Sequence, residues 1–478
     1  MNNQYPNNMT ADRMADLASR RFQEITAMNN QKFMLRLKQG VWAYLLLLLF
    51  EGALRKWFLT PLATPLLVVR DPIALWLIVM CWQRKLFIPS YALPLMTLIG
   101  VLGLIFAVTV GHGNPFVAIF GARILLIHFP MIFVIQGLFT RKDVIQIGKF
   151  MVALSIPMLV LIALQFYSPQ SAWVNRGVGG DEGGAGFSGA MGYFRPPGTF
   201  SFTNGTTLFF SLLGPYLLYF WLNPDGIKRW ILIGGTVALL MSIPLSISRA
   251  LLFQTVIAVM FCMFAGSSNP KYAGKLFGAL FGLVVLILIL SQTSIVGGAI
   301  EVFMARFDNA NESEGGMEGV FIDRFLGGLV GAFNTTSALP LWGYGIGMGT
   351  NVGSMLLTGG VTFLIAEGEW GRTIGELGPI LGLGVVFLRM GMAINMGWLT
   401  FDKLRRTGDM LPWMLFSDAF LLVAQGQWGQ PTALGFCVFI GGLLLASLRE
   451  DPEEEEEEAA VIEPADKPTE QKIIYYHN

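Results

Sequence analysis

Thr293 to Arg372, which carries ARFDNANESEGGMEG from Ala305, LWGYGIGMGTNVG from Leu341 and AEGEWGRTIGELGP from Ala366, is a long polar stretch between two strongly apolar runs. Nothing else of this length interrupts a chain that otherwise reads as membrane. Ordering such a loop costs conformational entropy that packing or function must offset. If the protein has an active face, this loop covers it.

Around the insert the composition suits a bilayer. Of 478 residues, 54% are hydrophobic and 13% charged, with mean hydropathy +0.58, whereas soluble domains carry about 25% charged residues. An ordinary soluble domain is excluded, and an all-α polytopic membrane protein is expected. Apolar runs fall near 40–54, 66–82, 91–110, 115–139, 145–167, 205–222, 229–245, 250–265, 276–292, 374–398, 411–425 and 431–448. They predict about twelve helices across about 30 Å of hydrocarbon. Arg84, Lys85, Arg141, Lys142, Lys228, Arg229, Lys271, Lys275, Lys403, Arg405 and Arg406 fill the even-numbered connections. The positive-inside rule makes these cytoplasmic, together with both termini. The loops 168–204 and 293–372 then lie outside.

The ends of the chain are polar. Residues 1–39 lack the apolar core of a cleavable signal peptide. Met14, Leu17, Ala18, Phe22 and Ile25 recur at helical spacing, which fits an amphipathic helix on the inner membrane surface as well as a frayed tail. Residues 449–478 include DPEEEEEEAA, a solvated acidic tail; a basic partner for its glutamates is the less economical reading. Cys81, Cys262 and Cys437 sit inside apolar runs, so neither a disulfide nor a cysteine metal site is expected.

The cations are unevenly placed. Of 12 lysines only Lys56 falls outside in this topology, against nine of 20 arginines: Arg55, Arg70, Arg123, Arg176, Arg195, Arg249, Arg306, Arg324 and Arg372. Guanidinium keeps its charge when partly buried and grips phosphate oxygens in a bidentate fork. This is the pattern expected of a protein that holds an anionic lipid headgroup. The competing reading is internal ion pairing, with Arg70 beside Asp71 the obvious case. Arg123 and Arg249 lie in or at the edge of apolar runs, where an unpaired charge costs several kcal/mol.

Two short motifs present arginines on turns. RPPGTFSFTNG from Arg195 fixes a turn with two prolines and a glycine, and Thr199, Ser201, Thr203 and Asn204 are candidates to cap the helix that follows. PLSISRALL from Pro244 puts Ser246, Ser248 and Arg249 in a short outer turn between the seventh and eighth helices. The glycines after Trp342 follow no strand, so they read as a turn packed on membrane helices rather than a nucleotide loop. Trp342 and Tyr344 are placed at the lipid interface in preference to a sugar-stacking role.

In this order, RPPGTFSFTNG, SISRALL, WGYGIGMGTN and GELGPILG resemble the O-antigen ligase and O-antigen polymerase family over roughly residues 40–448. EGALRKW from Glu51 and RDPI from Arg70 are similar to a subgroup associated with exopolysaccharide loci. The resemblance implies a GT-C-like membrane fold in the bacterial inner membrane. It also implies metal-independent glycosyl transfer on the periplasmic face, from an undecaprenyl-diphosphate-linked glycan to an acceptor hydroxyl. Other polysaccharide assembly proteins are implied partners; no cofactor, metal or nucleic acid is expected. Arg249 matches the family's arginine in the serine/threonine-arginine turn. The family's loop histidine has no counterpart, since the histidines here are His112, His128 and His477. The matching region offers Glu367, Glu369 and Arg372 ahead of Glu376. Either a carboxylate takes the histidine's role, which is the preferred reading, or the activity differs.

Displacing a lipid diphosphate needs a base for the acceptor and positive charge on the departing phosphates. Glu369 or Glu367 is expected as the base, and Arg195, Arg249, Arg372, Arg123 and Arg70 as the phosphate contacts. The spacing of Glu369, Arg372 and Glu376 is also that of plain intrahelical ion pairs. A lipid-linked oligosaccharide flippase or other transporter remains an alternative, weakened by the absence of resembling halves. A non-catalytic scaffold is the other, supported by the missing histidine.

Overall fold

A computed structural model describes residues 7–224, 226–267, 274, 294–314, 339–360 and 362–449. The helices are α1 (Asn7–Ala53), α2 (Asp71–Gln83), α3 (Ala92–Thr109), α4 (Pro115–Arg123), α5 (Met131–Leu138), α6 (Arg141–Tyr167) and α7 (Asn204–Leu222). They continue with α8 (Arg229–Leu245), α9 (Arg249–Ser267), α10 (Ser294–Glu314), α11 (Asn351–Thr358), α12 (Glu369–Thr407), α13 (Met410–Gln425) and α14 (Pro431–Ser447). π-Helical turns close α1 at Leu54–Phe58 and join α4 to α5 at Ile124–His128. An antiparallel ribbon of β1 (Phe187–Ser188) and β2 (Phe194–Arg195) pairs Phe187 with Arg195.

The chain is an all-α, polytopic membrane protein. Among the described residues, eight helical stretches are long and apolar enough to cross a bilayer: Ser19–Phe58, Pro65–Gln83, Ala92–Thr109, Pro115–Leu138, Arg141–Tyr167, Thr203–Leu222, Arg249–Gly266 and Glu369–Thr407. Arg229–Leu245, Met410–Gln425 and Pro431–Ser447 are shorter apolar helices. Eleven of the twelve expected runs are thus helical, and the run at 276–292 lies outside the described residues. α14 is the central shaft, buried from Ala433 to Ser447 and touched by α1, α5, α6, α7 and α13. Trp76, Leu98, Val160, Trp230, Met260, Phe387 and Trp398 stay exposed on the surrounding helices. A helix apolar all round suits a lipid-facing position.

Polar connections sort onto two ends. At one, Lys38 pairs with Asp143 at 2.6 Å, Arg141 with Asp409 at 2.8 Å, and Arg449 donates to the carbonyls of Gln136 and Gly137 at 2.8 Å. The N-terminal part of α1 and the last turn of α14 share this end. At the other, Arg55 meets Ser201, Arg70 meets Pro431, and His112 meets Ile346.

Three expectations change. The N-terminal tail continues α1 without a break, so its axis follows the first span instead of turning along a surface; Asn7 to Gln39 contains no glycine or proline to interrupt it. The 293–372 insert is not bare loop, since α10 buries Ala299, Val302 and Phe303 and packs on α8. α12 is broken at Gly378, with φ 77° and ψ 173°. Glu369 and Arg389 meet at 2.7 Å, although 20 residues of straight helix would separate them by about 30 Å. The arm 369–377 is therefore folded back on the arm 379–407.

Candidate functional site

Arg195 stands on β2 at the head of the RPPGTFSF turn, and that turn is clamped from two helices. Gln165 of α6 accepts from Gly198 N–H at 2.7 Å and donates to Gly198 O at 3.2 Å. Lys56 Nζ donates to the same carbonyl at 2.7 Å. Gly198 has φ +59°, in the left-handed region that glycine adopts freely. Thr199 Oγ1 donates to Leu49 O at 2.6 Å and Arg55 Nη1 to Ser201 Oγ at 3.0 Å. Any side chain at Gly52 would overlap the backbone of Phe200 and Ser201. EGALRKW is thus the seat of RPPGTFSF. The expected capping role is corrected: α7 has no side-chain cap, because Thr199 and Ser201 are spent on α1 and Asn204 Nδ2 donates to Gln430 Oε1.

Arg249 opens α9 directly after the turn Ser246–Ser248. Arg195 Nε donates to Ser246 O at 3.4 Å, and Thr207 Oγ1 of α7 donates to Ser248 Oγ at 3.0 Å. Between them Ile247 takes φ +49° while 1% exposed. A β-branched residue there stores about 1–2 kcal/mol of strain, held by the packing around it. Arg306 arrives on α10, whose Phe307 ring lies 6.3 Å from Phe253 of α9. Phe253 is one turn beyond Arg249, so α10 delivers Arg306 to the same rim. Burial, then the positive charges of Arg306 and Arg249, hold the Arg195 guanidinium below its ordinary pKa. All three arginines are half-buried.

Two more of the expected arginines, Arg70 and Arg123, are paired with carboxylates, and Arg324 lies outside the described residues. Arg70 Nε lies 3.3 Å from Glu51 and Nη2 donates to Pro431 O at 2.8 Å; Arg123 Nε lies 3.1 Å from Asp71. Arg70 and Arg123 are only 1% and 5% exposed. The partner of Arg70 is Glu51, one turn from Arg55 on α1, and not the adjacent Asp71. His128 links this group, meeting Tyr44 Oη through Nδ1 at 2.9 Å and Asp71 through Nε2 at 3.0 Å.

Glu369 and Arg372 form a second closed network. Arg372 binds Glu369 at 2.8 Å and Glu376 at 2.5 Å, and Arg389 binds Glu369 at 2.7 Å. Both oxygens of Glu369 accept from guanidinium groups, so its lone pairs are committed and it is poorly placed to take a proton. A neighbouring cavity, lined by Gly121, Thr373 and Trp428 among others, has room for about one water. Glu367, two residues before α12, is exposed.

The insert contains no histidine of its own, yet one reaches it from elsewhere. His112 meets Ile346 O through Nε2 at 3.2 Å and accepts Asn114 N–H on Nδ1 at 3.1 Å, which occupies both nitrogens with backbone. Around it, Gly343, Gly345 and Gly347 take φ +73°, +111° and +93°. A methyl on Gly347 would overlap Val117 O. Gly349 N–H donates to Glu376 at 2.8 Å. This segment is packed on α4 and the folded-back arm. Trp342 and Tyr344 beside it are exposed.

Sequence reading missed the connection between α13 and α14. Gly426 O accepts from Arg389 at 2.7 Å, Trp428 lies under that guanidinium at 3.9 Å, Gly429 packs on Arg372, and Gln430 takes Asn204. Arg389 itself, a charge inside an apolar run, was the legible signal. No protein-family model matches the chain, and no curated protein matches it.

Proposed function

We propose that the protein is a membrane glycosyltransferase of the O-antigen ligase or polymerase type. It polymerises or transfers glycan from an undecaprenyl-diphosphate carrier in O-antigen or exopolysaccharide synthesis. In this reading the chain crosses the bacterial inner membrane about twelve times in a GT-C-like arrangement. Both termini are cytoplasmic, and the loops 168–204 and 293–372 are periplasmic.

The observation that carries the reading is the convergence of three arginines on one rim. Arg195 donates to Ser246 O in the turn that precedes Arg249, and α10 brings Arg306 beside them, so that both guanidinium groups act on Arg195. Gathering like charges on a strained turn costs energy that a polyanion placed among them recovers. In the reaction the acceptor oxygen bonds to the anomeric carbon as the carbon–oxygen bond to the diphosphate breaks. The diphosphate leaves with the electron pair, and Arg195, Arg249 and Arg306 balance its charge. The acceptor proton passes to a carboxylate; of the expected pair, Glu367 is the one open to solvent.

Undecaprenyl diphosphate is the direct probe. It should raise the melting temperature of the purified protein by mass action. Arg249→Ala and Arg306→Ala should lose that rise, while Arg176→Ala, in the exposed pair with Glu182, should keep it. An equal rise in all four proteins would place the diphosphate elsewhere. One observation favours a scaffold: Glu369 is locked between two arginines. Binding without any turnover would select that reading.

A further inference from the structure

The basic end of the bundle has its own unmatched charge, and it lies beside the point where the acidic tail leaves. Lys32 and Arg36 on α1 and Arg84 and Lys85 after α2 are all exposed. None of the four has a carboxylate partner among the described residues. They are contiguous, because the Arg84 guanidinium lies 4.6 Å from the ring of Phe33, the residue after Lys32.

The exit of the tail is fixed next to them. Arg449 is tied to the carbonyls of Gln136 and Gly137, each at 2.8 Å. A side chain at Gly137 would overlap the carbonyl of Leu86, which follows Lys85 directly. Past Arg449 the sequence reads EDPEEEEEEAA, with six glutamates from Glu453 to Glu458. Three residues lie between Arg449 and Glu453, so four Cα steps give a reach of up to about 14 Å. So short a tether holds the carboxylates near the patch at an effective concentration of order mM.

We propose that Glu453–Glu458 dock on the patch of Lys32, Arg36, Arg84 and Lys85, so that the chain's own C-terminal segment covers its basic end. Anionic lipid headgroups are the competing occupant of such a patch. The tail is favoured because it is tethered beside the patch and brings six charges to four.

Zero-length carbodiimide cross-linking of the full chain tests this in nanodiscs of zwitterionic phosphatidylcholine. Mass spectrometry should find Glu453–Glu458 joined to Lys32 or Lys85 in preference to Lys228 and Lys403. The yield should fall several-fold in an Arg36→Gln, Arg84→Gln double variant, which keeps both reactive lysines. It should also fall at about 0.5 M salt, where screening leaves a range of only a few Å. Even labelling of all lysines at that end would overturn the proposal. So would links formed only between isotopically distinct copies, or their disappearance in nanodiscs containing anionic phosphatidylglycerol, which would assign the patch to lipid.

Discussion

Arg372 lies 7% exposed between Glu369 and Glu376, so Arg372→Ala leaves two buried carboxylates short of a partner. Breaking a buried pair on one side costs about 3–5 kcal/mol. Thermal unfolding in detergent should therefore show a large drop for Arg372→Ala, and a melting temperature near wild type would mean the network is solvated. Lys56 behaves in the opposite sense. It is 0% exposed and has no carboxylate partner among the described residues, only Gly198 O at 2.7 Å and the Trp57 ring at 4.6 Å. Burying an unpaired ammonium costs free energy that an apolar chain of similar volume does not. Lys56→Met is expected to melt no lower than wild type while loosening the turn that carries Arg195, measured as weaker binding of undecaprenyl diphosphate. A lower melting temperature would contradict this.

At the scale of elements, glycines decide where the polar insert can sit. Gly347 combines φ +93° with contact against Val117 O, so Gly347→Ala adds about 1–2 kcal/mol of backbone strain and pushes the segment off α4. Limited proteolysis should cut near 341–350 faster in this variant, and unchanged cutting would show that the loop is not held there. The helix break at Gly378–Pro379 was written in the sequence as a glycine-proline pair. Its consequence was not legible, because nothing local says that Glu369 returns to Arg389. Similarly, Thr199 and Ser201 look like caps from their position alone, and only the packing of α1 at Gly52 shows where their hydrogen bonds go.

Across the whole molecule, helix positions were legible because a bilayer demands long apolar runs whatever their neighbours are. Which arginines are neutralised was not, because Glu51 and Arg70, or Asp71 and Arg123, meet only in three dimensions. The expected sidedness makes its own prediction. A membrane-impermeant thiol reagent added outside cells should label Asp181→Cys and spare Asp402→Cys, and the reverse pattern would invert the topology. A glycosyl-transfer role for the arginine rim is read out by incubating purified wild type and Arg249→Ala with lipid-diphosphate-linked repeat units and resolving product length. Wild type should make longer lipid-linked chains, with a loss on the order of 100-fold or more in the variant. No chain growth by wild type, with a ligase acceptor also left unmodified, would rule that role out.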